Sequence, residues 1–219
     1  MPHPSDPRLL VLHVLRLKGV ADVHVVAEAS GLPAADVADL LDGLADEGRV
    51  TACTGALRGW SLTSEGRAEH GRLVGSEVEA VGARATVRGA YDRFRALNAS
   101  VLDVCSRWQV RDVAGQHVLN DHTDPAYDAR VVADLAAVQA AAEPLLGDLA
   151  GALDRYRGYG PQLRHAVARV AGGDAAWFTK PLVPSYHTVW FELHEDLLTT
   201  LGLERSAEAE SAAEAESAT

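Results

Sequence analysis

The sequence is short of positive charge, of cysteine and of long apolar runs, and each shortage removes a class of protein. No stretch of 18 or more apolar residues occurs, so no membrane-spanning helix is expected. The start, MPHPSDPRLL, lacks a charged segment followed by an apolar one, so no secretory signal is expected. Two cysteines, Cys53 and Cys105, stand far apart and are read as reduced, buried small side chains of a cytoplasmic protein. Lys and Arg together number 20 against 31 Asp and Glu, a net charge of −11. Such a surface does not wrap nucleic acid over its whole area. No nucleophile beside a base, phosphate loop or metal-ligand spacing is recognisable, so neither catalysis nor a cofactor is expected.

What is present is ample apolar material. Hydrophobic residues make up 47% of 219, enough for one large domain or two small ones. In DPRLLVLHVLRLKG, Leu9, Leu12, Leu15, Val11 and Val14 fall at helical spacing, with Asp6 as cap, Pro7 in the first turn and Gly19 at the end. DVHVVAEASG reads as a short second helix. LPAADVADLLDGLADEGRV places Val37, Leu40, Leu41 and Leu44 on one narrow face, from Pro33 to Gly48. Two β-type runs, RVTAC and GWSLT, flank TGALR, and TSEGRAEH restarts a helix capped by Thr63 or Ser64.

Through VAEASGLPAADVADLLDGLADEGRV and RGWSLTSEGRAEH, about a third of the chain, the sequence resembles the MarR- and PadR-like winged helix-turn-helix transcription regulators. The resemblance implies a winged domain over residues 1–74, with residues 33–47 as the DNA-reading helix and 55–59 as the wing tip. It also implies double-stranded DNA as partner, a homodimer, and Arg49, Arg58 and Arg67 as phosphate anchors. The sequence departs from this pattern on the reading helix itself. Its polar face offers Asp36, Asp39, Asp42 and Asp46, and no Arg or Lys precedes Arg49. DNA affinity comes mostly from cations on phosphates, so this face repels DNA.

Beyond the wing, a long connecting helix is expected from Ser64 to about Arg111, with a bend or break near Gly75. Ala80, Ala83, Val87, Ala90, Phe94, Leu97, Val101, Val104 and Trp108 alternate three- and four-residue steps, a coiled-coil-like seam suited to pairing protomers. Beside the seam, Arg84, Arg88, Tyr91 and Arg95 form a row that reads either as a solvated face or as a site for an anion.

The second half reads as a loop followed by a helix capped by Asp124, with a late kink at Pro144, then a short helix after Pro161 and a last helix from about Ser185. The string Asp121-His122-Thr123-Asp124 lacks the spaced donors of a calcium loop. In VPSYHTVWFELHEDLL, His187 and His194 lie about 10 Å apart along a helix, too far for one metal ion. The zinc-protease pattern fails because position 198 is Leu, so no metal site is expected. Tyr186, Trp190, His194 and Leu197 share a stripe that reads as a packing face. Alternatively it is a wall of an effector pocket with His122, His187 and Trp108, taking a small anionic or aromatic molecule.

The sequence therefore predicts a mostly α protein: an N-terminal winged helix-turn-helix, a long connecting helix and a C-terminal helical bundle. A helical effector-binding or dimerisation domain spans 75–203, and an acidic tail, disordered by composition, spans 204–219. The expected function is a ligand-responsive, homodimeric transcription regulator. The alternative is a winged-helix adaptor or small-molecule-binding protein that ignores DNA.

Overall fold

Asp6 opens the first helix, α1 (Pro7–Lys18), by accepting the backbone N–H of Arg8 and Leu9 ahead of the run that buries Leu9, Val11, Leu12, Val14 and Leu15. The computed structural model in which this is seen describes residues 3–55, 57–113, 115–181 and 183–203. The expected acidic tail, and Ala56 in the expected wing tip, lie outside the described residues. Asp22 caps α2 (Val23–Ser30), and Pro33 precedes α3 (Ala34–Asp46), whose Val37, Leu41 and Leu44 are fully buried. A hairpin follows, β1 (Val50–Thr54) pairing antiparallel with β2 (Arg58–Leu62). Ala21, between α1 and α2, adds to the outer edge of β2 by exchanging two backbone hydrogen bonds with Trp60 at 3.1 and 2.8 Å. Thr63 then caps α4 (Ser64–Ala80).

The single connecting helix expected from Ser64 onward is two helices. The chain breaks after α4 at 81–83, where Gly82 takes φ +63°, and resumes as α5 (Arg84–Gln109). Gly75, where the break was expected, sits inside α4. A left-handed residue ends a helix with little strain only when it lacks a Cβ, and Gly82 meets that need.

The segment expected to be loop after α5 contains a second hairpin, β3 (Val110–Val113) with β4 (Gln116–Leu119). Four-residue strands around Gly115 give too short an alternation to be read beside a helix signal. Then come α6 (Pro125–Ala152), a 3-10 turn (Asp154–Gly158), α7 (Tyr159–Ala171), α8 (Ala176–Thr179) and α9 (Tyr186–Leu201). Asp124 accepts the N–H groups of Ala126 and Tyr127 at the start of α6, as expected of a cap. Pro144 lies inside α6, which runs on to Ala152.

The chain is mostly helical, and its described residues form two compact units. The first takes residues 3–85, 153–155 and 195–203; the second takes 86–152 and 156–194. The break after residue 74 expected from sequence thus falls inside α4 of the first unit. The core of the first unit joins Val11, Leu12, Leu15, Val26, Val37, Leu41, Leu44, Val50 and Leu62. Gly66 lets α4 pass against the start of β1: a Cβ there would lie 1.9 Å from the Arg49 carbonyl oxygen.

In the second unit the seam residues Val87, Ala90, Phe94, Val101, Val104 and Trp108 are buried, as the periodicity predicts. They are covered by the unit's own side chains. Phe94 stacks on Trp190 with ring centroids 4.5 Å apart, and Trp108 stacks on Phe178 at 4.4 Å. This stretch of seam is buried within one chain; its spacing alone does not distinguish that from pairing with a second protomer, because both bury the same face. No helix among the described residues is long and apolar enough to cross a membrane.

Candidate functional site

The face of α3 turned away from the core carries Asp36, Asp39, Asp42 and Asp46, all exposed. They lie there because Val37, Leu41 and Leu44 claim the opposite side at the helical period. Of the three expected phosphate anchors, Arg58 begins β2 and Arg67 lies on α4, both exposed. Arg49 is different: its Nε lies 2.8 Å from Glu69 Oε2. Glu69 also accepts Arg8 Nε at 2.7 Å, and Arg8 in turn donates to Glu47. Paired with Arg8, the Glu47 carboxyl is held below its usual range. These groups border an open groove of about 430 Å³, where Arg8, Arg49 and Arg72 face Glu47, Glu65 and Glu69. Its charges largely neutralise one another.

A second feature of this unit leaves almost no trace in the sequence. Inside it, Arg155 donates Nε to Glu77 at 3.1 Å, Nη2 to Thr200 Oγ1 at 2.7 Å, and Nη1 to Asp196. Asp196 also accepts the Thr200 hydroxyl at 3.0 Å and lies 3.0 Å from His13 Nε2. His13 Nδ1 in turn meets His70 Nε2 at 2.9 Å. The Arg155, Asp196 and Glu77 side chains are only 2%, 1% and 5% exposed, so these are charges held in the interior. Burial drives the His70 imidazole down to about 3, with the His13 and Arg155 charges pushing the same way. The one hint in the sequence was a histidine inside the apolar run LLVLHVL; its partners lie 57 or more residues away.

In the second unit the expected effector residues come together only in part. Tyr186, Trp190 and Tyr91 are buried; Tyr186 stacks with Trp190 at 6.1 Å and Tyr91 with His194 at 6.4 Å, while Phe94 meets His194 at 4.9 Å with the rings tilted. Trp190 Nε1 donates to Asn98 Oδ1 at 3.0 Å. Tyr186 and Trp190 of the stripe thus pack in the interior of the unit, with Phe94 against Trp190 and His194. Burial also pushes the Tyr186 phenol above its ordinary range. His187 is half-buried on the same helix.

Arg88 and Arg95 extend over the Tyr91 ring at 5.8 and 6.0 Å, a stacked basic pair. Arg84 belongs to the first unit and pairs with Glu79 at 2.7 Å. Trp108 and His122 do meet, with ring centroids 4.5 Å apart. Cys105 is buried as expected, its thiol pushed up to about 12; Cys53 is only half-buried, its Sγ 3.3 Å from Ser61 Oγ. Among the described residues no three His, Cys, Asp or Glu side chains converge to hold a metal ion.

No protein-family model, no curated protein and no solved structure matches this chain.

Proposed function

We propose that the first unit is a winged-helix module that uses α3 to contact a basic protein partner and does not read DNA. The winged-helix reading is supported by the order of α1, the strand-like residue Ala21, α2, α3 and the β1–β2 hairpin, with Ala21 and the hairpin sharing hydrogen bonds. The observation that carries the functional reading is the surface of α3. Four exposed aspartates stand where a DNA reader needs donors and cations. The nearest arginine, Arg49, is already engaged by Glu69. A partner presenting Arg or Lys meets such a face with complementary potential, which speeds encounter and fixes register.

DNA binding is the second reading, favoured by Arg58 and Arg67, which are exposed on β2 and α4. A gel shift of the full chain on generic duplex DNA at low salt separates the two. The protein-contact reading expects no retardation. Retardation with a steep salt dependence, weakened for all sequences alike by Arg58→Ala, overturns it. With the full chain as bait, the variant Asp36→Asn/Asp39→Asn/Asp42→Asn is expected to lose the partner that the parent retains. Equal capture by both would also refute the assignment.

A further inference from the structure

Where β4 ends and α6 begins, His122 has a backbone φ of +59°, the one positive value at a non-glycine among the described residues. A left-handed conformation at such a residue costs on the order of 1–2 kcal/mol and persists only where the surroundings impose it. Here they do. Asn120 is buried; its Oδ1 accepts the His122 N–H at 3.2 Å, and its Nδ2 donates to Asp128 Oδ1 at 2.8 Å and to the Trp108 carbonyl at 3.1 Å. The His122 ring lies over Trp108, and its Nδ1 is 2.9 Å from Asp128 Oδ2 and 3.2 Å from Asn120 Nδ2.

Counting hydrogens fixes the tautomer. An amide nitrogen has two N–H groups, and those of Asn120 are spent on Asp128 and Trp108. None remains for His122 Nδ1, so Nδ1 carries the hydrogen and donates it to the Asp128 carboxylate. In the neutral ring the lone pair then resides on Nε2, the nitrogen facing away from Asp128, on a side chain 37% exposed. An oriented imidazole with an available Nε2 and a carboxylate behind it is the arrangement that activates a nucleophile or base.

We propose that His122 is an acyl-transfer centre, with Asp128 as its positioning residue, and that it accepts uncharged activated acyl esters. The surroundings choose the substrate class. Asp121, Asp124 and Asp128 gather within eight residues, and Arg111 offsets only part of that charge through Asp121 at 3.4 Å and Asp124 at 4.0 Å. Phosphorylated or carboxylate-bearing donors are repelled there, whereas a neutral ester is not. Immediately before the site, Leu119 and Val118 of β4 are exposed apolar side chains. Leu119 is within about 11 Å of His122 along the chain, within reach of a short acyl tail.

In the reaction, the Nε2 lone pair adds to the ester carbonyl carbon, the bond from that carbon to the leaving oxygen breaks, and its electron pair departs as the phenolate or alkoxide. The ring becomes an acyl-imidazolium whose positive charge faces Asp128. Water then adds to the acyl carbon, the C–N bond returns its pair to Nε2, the product leaves as carboxylate, and the two water protons pass to solvent.

The test is p-nitrophenyl ester hydrolysis by the full chain at neutral pH, with intact-mass detection of an acetyl adduct. His122 is expected to carry the adduct and to react about tenfold faster than exposed His24 or His117. His122→Asn, which tolerates the left-handed backbone, is expected to remove most of the release. Asp128→Asn should slow it and displace its pH profile. The hexanoate ester should outpace the acetate, and Leu119→Ser should erase that preference. A His122→Asn chain as active as the parent, an adduct spread evenly over the histidines, or an Asp128→Asn variant with unaltered rate and pH profile would each overturn the assignment.

Discussion

Replacing Arg155 by Met tests whether the interior of the first unit is organised by charge. The substitution keeps most of the side-chain volume and deletes a cation whose side chain is 2% exposed. It takes from Glu77 and Asp196, themselves 5% and 1% exposed, the guanidinium that both accept. Breaking a buried ion pair from one side costs about 3–5 kcal/mol. With two buried carboxylates losing the same cation the upper end applies, about 5 kcal/mol, against a typical domain stability of about 5–15 kcal/mol.

The chain has two units, so the readout should not assume that everything unfolds together. Amide exchange of α1 and α4 peptides reports the first unit directly. At 1.4 kcal/mol per tenfold, their protection should drop by about three orders of magnitude or more. Adding Asp196→Asn removes one stranded charge and should recover about 2 kcal/mol, a coupling visible in the double-mutant cycle. A loss below about 1 kcal/mol for Arg155→Met would refute the reasoning, as would a double variant no more protected than the single one.

Two further outcomes follow from the same unit. The folded His70 sits near 3 because burial opposes its charge, while the unfolded residue titrates near the ordinary 6.5. The unfolded chain therefore takes up the proton first: this stability is complete above about pH 6.5, falls as acid is added, and is about 2 kcal/mol lower at pH 5, continuing down toward pH 3. Urea titrations of the parent and of His70→Gln across pH 7 to 5 check it, the variant being expected to show the shallower acid slope; parallel slopes would remove His70 from the account. Gly66→Ala forces a Cβ to within 1.9 Å of the Arg49 carbonyl oxygen, which belongs to backbone and has little freedom to yield. A loss of about 1–3 kcal/mol is expected, read as faster exchange in β1 and α4, against almost none for Gly71→Ala, whose Cβ meets nothing.

The helices were legible in the sequence because their signals are local. Asp6, Asp22, Thr63 and Asp124 cap the helices they precede, and the periodicity from Val87 to Trp108 marks the residues that are buried. The acidic face of α3 was equally legible, since fixing Val37, Leu41 and Leu44 inside fixes Asp36, Asp39, Asp42 and Asp46 outside. What local signals do not carry is which surface covers which. A seam of Phe94 and Trp108 has the same spacing whether it meets a second chain or Trp190 and Phe178 of its own. The aromatic residues on α9 read as a packing face or, alternatively, as a pocket wall, and one spacing serves both.

The buried charges were the least legible feature of all, and their placement explains why. His13, His70, Glu77, Arg155, Asp196 and Thr200 come from α1, α4, the turn after α6 and the end of α9, with no common period or spacing. Apolar contacts would serve the same segments in many alternative packings, because burial is indifferent to which hydrophobe is met. A guanidinium held by Glu77, Asp196 and Thr200 at fixed positions is satisfied in one arrangement only, and any other docking leaves buried charge unpaired. The network therefore acts on which chain segments close the first unit more than on how strongly they hold. By the same logic, replacing Arg155, Glu77 and Asp196 together by apolar residues of matching volume should leave stability nearly unchanged while loosening residues 153–155. Exchange at those amides no faster than in the parent would show that apolar packing alone selects the segment.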